Sequence, residues 1–167
     1  MFADLLEQVQ QLLSRQPRVA DLLSHLPPWF RKLQTSEGVR EWEERHGVIL
    51  PQPLLLYFAY PAAACWLQLE ADTNTFMDDP KWFPDPPPLV HWPGRPCLVI
   101  GHFDHSATEI AVELNVVEPQ VFWGCDPHGK AFDLPPERFT SWLGRIAREI
   151  VDGQARIPAR GAQSQVK

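Results

Sequence analysis

The chain is poor in the residues that announce chemistry. Only three cysteines occur in 167 residues, Cys65, Cys97 and Cys125, and no two form a CxxC pair. Zinc knuckles and thioredoxin-like sites need closely spaced thiols and are not indicated. The cysteines' apolar neighbours, such as Ala64 and Trp66 or Leu98 and Val99, predict buried free thiols in a reducing cytosol. There is no GxSxG elbow, no glycine-rich phosphate loop and no HExxH pair, so the commonest nucleophilic, phosphate-binding and zinc-hydrolase signatures are missing. Glycine is scarce too, nine against eighteen prolines. Connections are therefore set by proline more than loosened by glycine.

Positive charge is in short supply and unevenly placed. The formal charge is −6, yet no acid follows Asp152, while Arg156, Arg160 and Lys167 lie beyond it; without those three bases the rest of the chain stands at −9. An acidic body argues against DNA or RNA as a direct ligand, since phosphate binding needs a basic face. It suits a basic protein partner, or plain solubility. No uninterrupted run of membrane length exists either. Gly47–Leu69 contains no charged residue, but Pro51, Pro53 and Pro61 divide it, Gln52 and Gln68 are polar, and no basic cluster flanks it. It reads as core, not as a span. Asp4 and Glu7 occupy the place where a signal peptide would be positive, so a cytoplasmic location is expected.

What the chain does have is apolar bulk: 44% hydrophobic residues, with seven Trp and nine Phe. That suffices for one domain with a substantial core. Residues 2–15 place Phe2, Leu5, Leu6, Val9, Leu12 and Leu13 at helical spacing. Val19, Leu22, Leu23 and Leu26 mark a second short helix before Pro27. A third helix is predicted over about 36–46, stopped by Gly47, and a fourth over about 52–59, opened by Pro51 or Pro53. Val48, Ile49 and Leu50 between them are expected to plug the core. Cys65–Glu70 alternates like a strand, and 71–95 reads as a long proline-rich loop with Pro80, Pro84, Pro86, Pro87, Pro88 and Pro93. Strands are predicted over Cys97–Phe103, Glu109–Leu114, Gln120–Cys125 and Lys130–Leu134, with Ile110, Val112 and Leu114 facing inward. A last helix runs from about Pro136 to Val151, and 154–167 is a polar tail.

The order of these pieces, helix, Glu43-x-x-x-Gly47-x-x-Leu50-Pro51, apolar helix, strand meander and closing helix, resembles the SUKH superfamily of fungal cell-wall regulators and bacterial immunity proteins. Trp42, Glu43, Gly47, Leu50, Pro51, Leu54 and Phe58 carry the likeness in front. Leu98–Gly101, Ile110–Leu114, Pro119–Phe122 and Phe139–Leu143 carry it further on. It covers about residues 36–151, and it departs from the family at Pro61–Ala64, where an Asn-Gly-type turn is common. The resemblance implies an α+β fold, a curved antiparallel sheet flanked by helices, here with extra N-terminal helices. With the polar stretch after Gly153, the expected division is a helical extension over 1–35 packed on the domain, a SUKH-like domain over 36–153 and a flexible tail over 154–167. It also implies binding in place of catalysis: an immunity protein neutralising a toxin, often a nuclease, with no cofactor.

Two constellations invite functional readings. Glu70, Asp72, Asp78, Asp79 and Asp85 surround Phe76, Met77, Trp82 and Phe83. Aromatic anchors within an acidic rim suit a basic protein partner, so Glu70, Asp72, Asp78, Asp79, Trp82, Phe83 and Asp85, with the neighbouring sheet edge, form the expected contact surface. The alternative reading is that these aromatics fold inward and pin the loop. His102, Asp104, His105 and Glu109 form the other cluster, open to a metal-dependent enzyme or to a solvated turn. His128, in Asp126-Pro127-His128-Gly129, suits a hairpin tip. The stripe over residues 2–15 packs on its own domain or, if it projects, supports a helix-exchanged dimer, so a monomer or weak dimer is expected. A regulatory scaffold of the same fold without a toxin is a further alternative.

Overall fold

Helical periodicity at the N-terminus is realised as α1 (Phe2–Leu13), which buries Leu6, Val9 and Leu13. The computed structural model describes residues 2–74, 89–91, 94–102, 109–124 and 134–153. Prolines then open two short helices, α2 (Pro17–Ser24) and α3 (Pro28–Lys32), at positions where a missing N–H costs no hydrogen bond. α4 (Ser36–His46) follows, then α5 (Gln52–Ala59) and α6 (Ala62–Asn74). Gln10 of α1 caps α6 directly, its Oε1 accepting the Ala62 N–H at 2.8 Å. Val19, Leu26 and Phe30 join α1, α5 and the sheet in one buried cluster.

α6 corrects the expectation of a strand over Cys65–Glu70 and of a loop beginning at residue 71. Ala62, Ala63, Ala64, Cys65, Leu67 and Leu69 are all buried, and α6 packs against both α1 and α2. A helix enclosed on several sides loses its amphipathic period, so alternation along 65–70 mimics a strand. Its alanines, leucines and glutamine are strong helix formers. The proline-rich stretch also contains a short strand, β1 (Leu89–His91).

Among the described residues β1 is the first of five antiparallel strands in simple order, followed by β2 (Pro96–His102), β3 (Glu109–Glu113), β4 (Gln120–Gly124) and β5 (Leu134–Arg138). The fold is thus α+β, as expected. β5 takes Pro136–Arg138, which periodicity assigns to the last helix. That helix, α7, begins only at Phe139 and runs to Asp152. Pro135 and Pro136 sit on an edge strand of the described sheet and at its bulge, where missing donors are tolerable. The register slips there, Val121 pairing with Glu137 but Trp123 with Leu134, so β5 carries one extra residue.

Both faces of the central strands are buried, which corrects the inward-outward assignment for β3. Leu98, Ile100, Ile110, Val112 and Val121 belong to the main core with α7 residues Phe139, Trp142, Leu143 and Ile146. On the opposite face Cys97, Val99, Ala111 and Phe122 form a second, smaller buried group. Among the described residues no helix is long and apolar enough to cross a membrane.

Candidate partner-binding groove

The segment between α4 and α5 is a clasp built on Glu43. Thr35 caps α4, its Oγ1 accepting the Gly38 N–H at 3.0 Å while its hydroxyl donates to the Lys32 carbonyl. Gly38 is required at this crossing, because a Cβ there would overlap the Lys32 carbonyl. At the other end Gly47 turns left-handed (φ 66°), and the Gly47 and Val48 N–H groups both donate to the Glu43 carbonyl. The Glu43 carboxylate then reaches over the bridge, Oε2 accepting the Leu50 N–H at 2.8 Å. Val48 and Leu50 are buried, but Ile49 is 66% exposed. Three successive side chains on an extended bridge cannot all point into one core, so the expected plug consists of the outer two.

α5 runs back alongside α4 and leaves an open groove of about 330 Å³ between them. Ser36, Val39, Arg40 and Glu43 line one wall, and Gln52, Leu55, Leu56 and Ala59 the other. Both sets follow the i, i+3, i+4, i+7 pattern of a single helix face. Leu33 closes the floor, with Gln34 and Thr35 at one end. Half of the six polar lining residues are engaged by the fold. Gln34 Nε2 donates to the Phe58 carbonyl at 2.9 Å, Thr35 holds the α4 cap, and Glu43 holds Leu50. The half-buried Val39, Leu55 and Leu56 are what the groove offers a visitor.

The residues singled out from sequence lie elsewhere. Glu70 and Asp72 fall two residues apart on α6, while Asp78, Asp79, Trp82, Phe83 and Asp85 lie outside the described residues. In the second constellation the β2–β3 register sets His102 directly opposite Glu109; Asp104 and His105, like His128, lie outside the described residues. Among the described residues no group of three His, Cys, Asp or Glu side chains converges as a metal site would require.

Sequence reading gives no hint of two acid–base pairs on the sheet. Glu113 is only 5% exposed. Its carboxylate accepts from Arg95 Nη1 at 2.6 Å and from the Gln120 N–H at 3.3 Å, so a buried charge is satisfied from two neighbouring segments. On β5, Glu137 receives Arg145 of α7 in a two-pronged contact at 2.6 and 2.8 Å. The Arg145 hydrogen bond holds the Glu137 carboxyl below its ordinary range, against a smaller opposing effect of burial. Burial alone pushes the Cys65 thiol up to about 12, so it stays protonated at neutral pH. Comparison with protein families, curated proteins and solved structures finds no match to the chain.

Proposed function

We propose that this chain is a non-enzymatic protein-binding domain of the SUKH kind, an immunity protein that neutralises a basic, nuclease-type toxin. The observation that carries the binding reading is the α4–α5 groove, which presents the half-buried Val39, Leu55 and Leu56 while Gln34, Thr35 and Glu43 serve the fold. An apolar strip between two helices suits side chains from another protein. The Glu43–Leu50 clasp supports the family reading, because each named position of the motif has a physical role. Glu43 is the acceptor, Gly47 the helix stop, Leu50 part of the core and Pro51 the residue before α5. The net charge of −6 fits a basic partner.

The test is direct binding to the product of the neighbouring gene, where an immunity protein's toxin is encoded. A stoichiometric complex that abolishes nuclease activity is expected. A complex without toxicity would point to a regulatory scaffold, and no complex by calorimetry would overturn the immunity reading. The pairing of His102 with Glu109 favours one other reading, a metal-dependent enzyme. Stoichiometric metal in the purified protein, lost in His102→Ala, would replace the first reading with that one.

A further inference from the structure

Resting on the protein-binding reading, we infer that the α4–α5 groove takes a basic amphipathic α-helix of a partner protein. The shape of the site argues for a helix. Its walls are two helix faces of equal length, each spanning eight residues, whose seven steps of about 1.5 Å give a trough of about 10 Å. A third helix laid along such a trough buries its own i, i+3, i+4 and i+7 side chains against Val39, Leu55 and Leu56. A peptide added as a β-strand would instead need free backbone groups to pair with, and a polyproline segment an aromatic lining that this groove lacks. Here the walls are helices whose backbone bonds are made internally.

Charge selects the kind of helix. Glu37, Glu41 and Glu44 are all exposed on α4. At 100° per residue Glu37 and Glu44 lie just beyond Arg40 as seen from the groove, with Glu41 further round. Among the described ion pairs none engages these three carboxylates. They form an acidic ridge along one lip, and a helix seated in the trough would bring the flank of its polar face over them. Lysine or arginine at that flank is attracted, and glutamate repelled. Arg40 and Glu43 within the lining offset each other.

A second copy of the chain is a poorer occupant. Both long amphipathic helices, α1 and α7, spend their apolar faces in the chain's own core, against each other and, for α7, against the sheet.

A displayed library of eighteen-residue helices, with stripe and flank positions randomised, tests this on the full chain. Wild-type protein is the bait, and Leu56→Glu protein is used for counter-selection. Ala59→Glu, at an exposed position, serves if Leu56→Glu does not fold. Recovered helices are expected to carry an apolar stripe with lysine or arginine along one flank. They should lose at least tenfold in affinity on Leu56→Glu or Ala59→Glu. Glu37→Lys/Glu44→Lys should weaken them severalfold, an effect that fades with added salt, and Arg40→Glu should strengthen them. Failure to recover groove-dependent binders, recovery of acidic or proline-rich extended sequences, or self-association abolished by Leu56→Glu would overturn the inference. These failures are separable from failure of the protein-binding reading. A neighbouring-gene product that binds Leu56→Glu and wild type equally would keep that reading and reject the groove.

Discussion

Asn115 holds Ile49 at both ends of its backbone. Its Oδ1 accepts the Ile49 N–H at 2.6 Å, and its own N–H donates to the Ile49 carbonyl at 3.0 Å. The β3–β4 turn is thereby tied to the bridge between α4 and α5, with Asn115 in the left-handed region at φ 62°. Asparagine tolerates that conformation better than other residues with a Cβ, and its short amide supplies the acceptor. Replacement by glycine keeps the conformation and loses one hydrogen bond, about 1 kcal/mol. Replacement by alanine loses the bond and adds left-handed strain of about 1 kcal/mol. Urea unfolding should therefore rank Asn115→Ala below Asn115→Gly; the reverse order would refute the conformational part.

Two helical glycines should respond in opposite directions. Gly38→Ala drives a methyl into the Lys32 carbonyl and disturbs the Thr35 cap, so a loss of about 2 kcal/mol or more is expected. Gly144, in the middle of α7, has open space where alanine would carry its methyl group, with no neighbouring atom within 4 Å. Gly144→Ala should gain about 0.5–1 kcal/mol by raising helix propensity. Thermal melts of the two variants check both signs, and a stabilised Gly38→Ala would show that the α3–α4 crossing yields.

Glu137 introduces a pH dependence. Its carboxyl is held below 4.5 in the folded protein, so the native state binds its proton less readily than the unfolded chain. The resulting stability is fully present above the unfolded value and is lost as pH falls through the folded one. Because the pair is partly exposed, with side-chain exposures of 54% for Arg145 and 31% for Glu137, the effect should not exceed about 1 kcal/mol. The gap in melting temperature between wild type and Glu137→Gln should be nearly constant between about pH 7 and about pH 5.5 and close below about 4.5. A gap unchanged at about pH 3 would mean that the ion pair contributes nothing.

Cys65 is fully buried, and its thiol is pushed up to about 12. At about pH 8 a disulfide reagent should modify it only as fast as the protein opens. Peptide mapping after labelling, with and without denaturant, measures this. Rapid modification of Cys65 in the native protein would contradict the enclosed position of α6.

Helices with one apolar face were legible in the sequence, and those enclosed on several sides were not. α1 and α7 declare themselves because each has a wet side. α6 is enclosed, so its residues carry no helical period and Cys65–Leu69 passes for a strand. β3 misleads similarly. Ala111 and Glu113 look like outward positions, yet Ala111 lies under a second apolar group and Glu113 is neutralised by Arg95, a residue eighteen positions away. The groove escaped for another reason. Leu55 and Leu56 stand in an apolar run with Leu54, Tyr57 and Phe58, and only the packing of Leu54, Tyr57 and Phe58 reveals which two are left over. Glu43 was legible as part of a motif, but its reach to Leu50 was not.

The paired prolines of β5 bear on how this molecule can meet others. Pro135 and Pro136 break the donor row of β5, the outermost strand among the described residues, which is already kinked by an extra residue. A strand from another chain cannot zip onto that margin in regular register. The β5 side is therefore guarded against sheet-to-sheet polymerisation, and a partner approaching there would find side chains to grip but no continuous template to extend.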